Sequence, residues 1–224
     1  MIPKILFTSY LCNISDPIIQ LIIKTWQALN PDFKVLYFSD NDIDIFFKNH
    51  IKNEIYKKLR NGVAKADFFR ICYINTYGGY WFDLDLEPIK INVPRKGDIH
   101  LFDAGYGNVS YMFIGGNIKQ KLFDEVIEEV SNRILNNYNK PENEVQHILN
   151  VTGPRIIQYI LQNKLKRPII DKYFIGMDSS ITYMENTEYE FEYQKIQLKK
   201  HKTQLYNQLQ LKYNKKNYYE YNFI

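Results

Sequence analysis

The chain opens with short apolar runs that alternate with stretches of helical periodicity. Ile5 to Phe7, after Pro3, reads as a buried first strand. Ser15 or Asp16 is a helix cap with Pro17 as first helical residue. Ile18, Leu21, Ile22, Thr25, Trp26 and Leu29 then recur at helical spacing. Asn30-Pro31-Asp32 ends that helix, and Phe33 to Phe38 reads as a second strand. A helix rich in Ile and Phe begins near Asp42. Strand, helix, strand, helix predicts an α/β protein with a parallel sheet and helices packed on it. Ligands of such sheets bind beyond the carboxyl ends of the strands.

Val63 to Thr76 is helical and aromatic, and Gly78-Gly79 breaks it. Tyr80 to Phe82 reads as a strand running into Asp83-Leu84-Asp85, with further strands at Ile99–Phe102 and Val109–Ile114. Lys119 to Asn136 has the pattern of a long amphipathic helix, and Thr152-Gly153-Pro154 starts another through Gln162. The expected organisation is one α/β domain over residues 1–185, with a basic, aromatic, helical extension over 186–224 packed on or flanking it.

Composition changes this picture little. The chain has 224 residues, 45% of them hydrophobic, enough for a sizeable core. Its net charge of +4 does not argue for nucleic acid. Cys12 and Cys72 form no CxxC or Cys/His cluster, so neither zinc nor a disulfide framework is expected. No stretch has the apolar length of a membrane span, and the run from Met1 to Tyr10 is too short for a signal peptide. The expectation is a soluble, cytoplasmic protein.

The strongest chemical signal is Tyr80-Trp81-Phe82-Asp83-Leu84-Asp85. Asp is depleted in strands and costly to bury unpaired. In a strand, residues two apart face the same side, so both carboxylates would point one way. Like charges that close repel unless a cation sits between or beside them. Oxygen-only ligands suit Mg²⁺ or Mn²⁺, and such an ion keeps positions open for phosphate oxygens. Two solvated acids at a strand end are the plain alternative. Asp67 and Arg70 lie three apart on one helix face, among apolar Phe68, Phe69 and Ile71. They read as a surface ion pair or as a buried pair that a ligand or network satisfies.

The segment Ala66-Asp67-Phe68-Phe69-Arg70, followed by Tyr77 to Asp85, resembles the DXD-containing sugar-transfer region of the Och1-like glycosyltransferases, family 32. It is also similar to the glucosyltransferase domains of large clostridial toxins. Ile2-Pro3-Lys4-Ile5, Asn30-Pro31-Asp32-Phe33, Phe38-Ser39-Asp40 and Thr152-Gly153-Pro154 extend the likeness, in one order, over roughly residues 2 to 160. The resemblance implies a GT-A fold, a Rossmann-like mixed sheet flanked by helices. It implies a retaining, metal-dependent glycosyltransferase that moves a hexose or N-acetylhexosamine. The donor would be a nucleotide sugar, UDP-sugar favoured and GDP-mannose next, and the acceptor a glycan, lipid or protein. It also implies roles. Asp85 ligates Mn²⁺ or Mg²⁺, and Asp83 contacts the ribose and the metal. Asp67 accepts from donor-sugar hydroxyls, and Arg70 faces sugar and phosphates. Trp81 lies near the diphosphate, or is plain core. Thr8 and Ser9, read as the carboxyl end of the first strand, would border the nucleotide. Tyr111 stands where the family commonly has Asn. His201 is a further metal or phosphate contact, or an exposed residue of a lysine-rich helix.

Two other functions fit D-x-D. An aspartyl-phosphate phosphohydrolase would need Thr or Val where Glu87 stands and an earlier motif. A non-catalytic sugar-nucleotide-binding subunit would keep the fold without turnover. The tail from Lys195 to Lys216 carries lysines and no acid, with Leu198, Leu205 and Leu209 on a helical stripe. It reads as a helix packed on the catalytic domain, or as a peripheral contact with an anionic membrane, aided by Tyr218, Tyr219, Tyr221 and Phe223.

Overall fold

The structure is a computed structural model. It describes residues 1–59, 61–88, 90–91, 98–103, 109–136, 144–164, 182–183, 191–194, 208–209 and 211–212.

The elements run β1 (Ile5–Tyr10), α1 (Pro17–Leu29), β2 (Lys34–Ser39), α2 (Asp40–Lys48), α3 (Asn53–Lys57), α4 (Gly62–Tyr77) and β3 (Gly79–Phe82). Then come β4 (Ile99–Asp103), β5 (Val109–Gly116), α5 (Lys121–Leu135), α6 (Glu144–Val151) and α7 (Arg155–Tyr159), which continues as a π-helical stretch, Ile160–Lys164. The short strands β6 (Thr182–Tyr183) and β7 (Phe191–Gln194) complete the set. The sheet order is β2-β1-β3-β5-β4-β7-β6. β1 pairs in parallel with both β2 and β3, whereas β5 runs antiparallel to β3 and β4. The β1–β2 pair is parallel as the alternation predicts, while the antiparallel β5 makes the sheet mixed, as the resemblance implies.

Local chemistry sets the boundaries. Asp16 caps α1 by accepting from Ile18 N at 2.9 Å, with Pro17 at the first turn. Ser39 and Asp42 form a reciprocal capping box that starts α2 at Asp40, two residues before the expected start. α4 begins at Asn61, whose side chain accepts from Ala64 N at 2.7 Å, and ends at Gly78, φ 72°. A side chain there would be strained, and its Cβ would meet the Pro3 ring at 2.6 Å.

The sheet separates two apolar layers. Phe7, Trp81 and Ile114 pack with α2, α4, α5 and α7 residues such as Phe47, Phe69, Val126 and Ile157. Leu6, Tyr80, Phe82 and Phe113 pack with Ile19, Ile22 and Trp26 of α1 on the other side. Trp26 stacks on Phe82 with ring centroids 4.3 Å apart. This alternation of neighbours between faces is the period of two expected of a strand.

Three expectations need correction. β1 runs on to Tyr10, so Thr8 is a strand-interior residue, wholly buried and opposite Tyr37 of β2, and Ser9 is the penultimate one. β3 ends at Phe82, so Asp83 and Asp85 lie in a turn, closed by Leu86 N donating to Asp83 O at 3.0 Å. The strand period therefore does not fix their direction. Finally, residues 191–194 of the segment expected to be a helical extension form β7, parallel to β4.

Candidate active site

The site lies where the chain crosses over the sheet. After β2 on one side of β1, the chain returns through α2, α3 and α4 to β3 on the other side. In a doubly wound sheet this crossover opens a crevice at the strands' carboxyl ends. Phe7 is paired with Trp81, so two residues on, Ser9 and Asp83 reach the same edge. The antiparallel β5 extends beside it: Phe82 pairs with Phe113, and Asp83 N donates to Met112 O at 2.7 Å.

α4 presents Asp67 and Arg70 to this edge from beneath. The Asp67 and Arg70 side chains are each 7% exposed, and Asp83 is 25% exposed. Arg70 Nη2 lies 3.0 Å from Asp67 Oδ1, and Nη1 lies 3.3 Å from Asp83 Oδ1. Nη1 also donates to Tyr111 O at 2.6 Å, and Nε to Ala66 O at 3.3 Å. The guanidinium lies 4.3 Å from the Trp81 ring and 5.5 Å from the Tyr111 ring. Trp81 Nε1 in turn donates to Asp83 Oδ1 at 2.7 Å. A planar cation with a fixed fork of donors suits such a site, where a lysine would supply a single point charge.

Burial raises the Asp67 carboxyl to about 6, against the pull of Arg70; Asp83 adds to the rise and Thr152 opposes it. Thr152 Oγ1 is 3.4 Å from both Asp67 Oδ2 and Ile148 O, so its single proton is divided between two long contacts. Burial, with Asp67 adding to it, holds the Tyr111 phenol well above its usual range, so it remains neutral.

Beyond this network comes the acidic turn. Leu84 and Leu86 are buried in the α1-side layer, while Asp83 and Asp85 between them are half-buried. Leucine burial thus leaves the two carboxylates on the partly exposed edge of the turn. Asp83 uses the same oxygen, Oδ1, for both Trp81 and Arg70. Two hard oxygen donors on one turn fit Mg²⁺ or Mn²⁺, which take a few carboxylates and complete their shell with water or phosphate. No cluster of three or more His, Cys, Asp or Glu residues that could hold a metal occurs among the described residues.

Of the residues singled out from sequence, Asp67, Arg70, Trp81 and Asp83 form one connected network, with Asp85 two residues on. Thr8 does not join it: its side chain shares the face of Leu6 and Tyr10, away from α4. Its Oγ1 is buried and has no hydrogen-bond partner among the described residues. His201 lies outside the described residues. Two participants carried no sequence-level role, Tyr111 and Thr152. Thr152 stood within a recognised Thr-Gly-Pro landmark, but the fold alone brings its hydroxyl to Asp67. Of the tail, residues 208–209 and 211–212 are helical, Leu209 is fully buried, and Lys212 Nζ lies 2.6 Å from Asp16 Oδ2. Among the described residues no helix is long and apolar enough to cross a membrane.

Comparison with known proteins shows what the chain is similar to. Over 72 residues the chain is 28% identical to the initiation-specific alpha-1,6-mannosyltransferase of Candida albicans, a match covering 30% of this chain and 19% of that protein. The chain thus spans about a fifth of the length of that relative. Among solved structures, the PaToxG glycosyltransferase matches 74% of this chain and 70% of its own at 15% identity, with a TM-score of 0.49. Residues 18–95, which hold Asp67, Arg70, Trp81, Asp83 and Asp85, match the family described as glycosyltransferase sugar-binding region containing DXD motif.

Proposed function

We propose that the chain is a metal-dependent, retaining hexosyltransferase. It takes a hexose or N-acetylhexosamine from a nucleotide-sugar donor to a glycan, lipid or protein acceptor. The observation that carries this reading is the Asp67–Arg70–Asp83 bridge, leading from a buried helix to a half-exposed acidic turn at the sheet crossover.

Each residue has a task. Asp85 and Asp83 hold a divalent ion, Mn²⁺ or Mg²⁺, which supplies charge stabilisation for a diphosphate leaving group. Arg70 fixes Asp83 from behind, and Trp81 does so from the side. Asp67 accepts from a sugar hydroxyl through Oδ2, the oxygen that Thr152 engages only at 3.4 Å. Ser9, level with Asp83, borders the nucleotide. Thr8 is wholly buried and acts, if at all, through the strand it belongs to. The first donor to test is a UDP-hexose or UDP-N-acetylhexosamine. GDP-mannose comes second, and a relative named as a mannosyltransferase keeps a mannosyl donor in the panel. His201 is a further candidate for the metal or phosphates.

A hydrolysis screen of UDP-sugars and GDP-mannose with and without Mn²⁺ tests this reading, because donor hydrolysis requires no known acceptor. Metal-dependent release of free sugar from at least one donor is expected. Binding of nucleotide sugars without any turnover would favour a non-catalytic binding subunit instead.

A further inference from the structure

Among the described residues, Tyr111 beside the Asp67–Arg70 pair has a hydroxyl that the fold leaves unused. It sits on β5, 4% exposed, with its carbonyl accepting from Arg70 and its ring facing the guanidinium. Its Oη is closed to solvent and has no hydrogen-bond partner among the described residues. An unpaired buried hydroxyl costs on the order of 1–3 kcal/mol, and phenylalanine would fill the same space without it. Packing alone therefore gives no reason for the oxygen.

We infer that the Tyr111 hydroxyl is a specificity contact for the transferred sugar, made once the donor is bound. This rests on the glycosyl-transfer reading of the site above. The surroundings select the sugar over the diphosphate. The phenol lies within the field of the Asp67 carboxylate, which repels phosphate and attracts hydroxyl donors. A neutral phenol both donates and accepts, as a sugar hydroxyl does, so the two are matched in either direction. On that carboxylate, Oδ2 is engaged by Thr152 at 3.4 Å, a long contact that leaves it able to accept from a ligand. The hydroxyl and this oxygen would form a pair that reads adjacent polar groups on one ring.

Tyr111→Phe tests this with two readouts that oppose each other. Removing an orphan hydroxyl should raise the Tm by about 2 °C or more. The same change should lower kcat/KM for donor hydrolysis about three- to tenfold, mainly through KM. Binding of bare UDP or GDP in Mn²⁺ should stay within about twofold, since neither carries the sugar. A stabilised variant with unchanged kcat/KM for every donor would overturn the inference and leave the hydroxyl an unpaired core group. A parallel loss of bare-nucleotide binding would also overturn it, because the effect would then be on the site as a whole. If the wild type binds neither UDP nor GDP in Mn²⁺, the glycosyl-transfer reading itself fails, and this inference with it.

Discussion

Replacing Arg70 by Met removes the cation from between two carboxylates and roughly keeps the volume of the side chain. Asp67, 7% exposed, and Asp83, 25% exposed, then face one another with no charge between them. Removing one partner of a buried ion pair costs about 3–5 kcal/mol, because the remaining charge is left uncompensated. In a domain of this size that corresponds to a Tm lower by roughly 6–20 °C. The loss should depend on pH. Asp67 titrates near 6 in the folded wild type, above its value in the unfolded chain, so folding takes up a proton between those limits. Stability therefore falls as pH rises from about 4 to 6, and without Arg70 the same carboxyl would hold its proton to still higher pH. Urea unfolding of wild type and Arg70→Met at pH 8.0 and pH 5.5 measures this. The gap between them should be widest at pH 8.0 and narrow at pH 5.5, where Asp67 is protonated. Adding Asp67→Asn to the variant should recover part of the loss at pH 8.0. An equal gap at both pH values, or a double variant less stable than Arg70→Met at pH 8.0, would refute the reasoning.

Asp85→Asn should abolish metal-dependent donor hydrolysis while leaving the circular dichroism spectrum and Tm close to wild type, since the side chain is half-buried on a turn; full activity at limiting Mn²⁺ would remove it from the metal site. Calorimetry in Mn²⁺ should give tighter binding of UDP than of GDP, and the reverse order would make GDP-mannose the leading donor. Leu209→Ala should cost about 2–5 kcal/mol in chemical denaturation, because a fully buried leucine leaves a cavity behind. If the same variant kept its stability but lost binding to anionic vesicles, the tail would be a membrane element and not part of the core. Gly115→Ala should destabilise the protein strongly, since its Cβ would lie 2.1 Å from the Tyr80 ring in the neighbouring strand; a Tm unchanged by differential scanning would show that β3 and β5 shift apart freely.

The elements that the sequence announces clearly are those with strong local signals. Asp16-Pro17 opens α1 where a cap and a first-turn proline predict, and Gly78-Gly79 stops α4 where two glycines must. The first two strands and their helices follow from alternating periods. Boundaries set by pairing were less legible. Ile5 to Phe7 looked complete as a strand, but Thr8, Ser9 and Tyr10 continue it because β2 offers partners through Ser39. Nothing in residues 8–10 themselves signals that. The short helix α3 lacks both a side-chain cap and the length that makes a periodic pattern visible. At the site, the i, i+3 spacing made the Asp67–Arg70 pair readable. Its bridge to Asp83 was not, since it joins α4 to the residue after β3. Tyr111 and Thr152, contributed by β5 and by the segment before α7, enter only through the fold.

The charges of the network explain why the acidic turn and the buried helix belong to one device. Asp67 and Arg70 nearly cancel, which allows both to lie beneath the sheet edge. Asp83 and Asp85 add two negative charges at the half-exposed rim, a complement to one divalent ion. Arg70 touches Asp67 and the nearer acid of the rim, Asp83, so it couples the position of a helix to that of the acidic turn. Its orientation is held by the Ala66 and Tyr111 carbonyls and by the Trp81 ring, all from the protein. In this state few of its donors remain for a diphosphate. On the proposed reading, direct phosphate recognition would fall to an ion held on the acidic turn. Arg70 would then be the clamp that sets where that ion sits, and Arg70→Lys, which keeps the charge but loses the fork, should impair donor hydrolysis by raising the Mn²⁺ concentration needed for half-maximal rate.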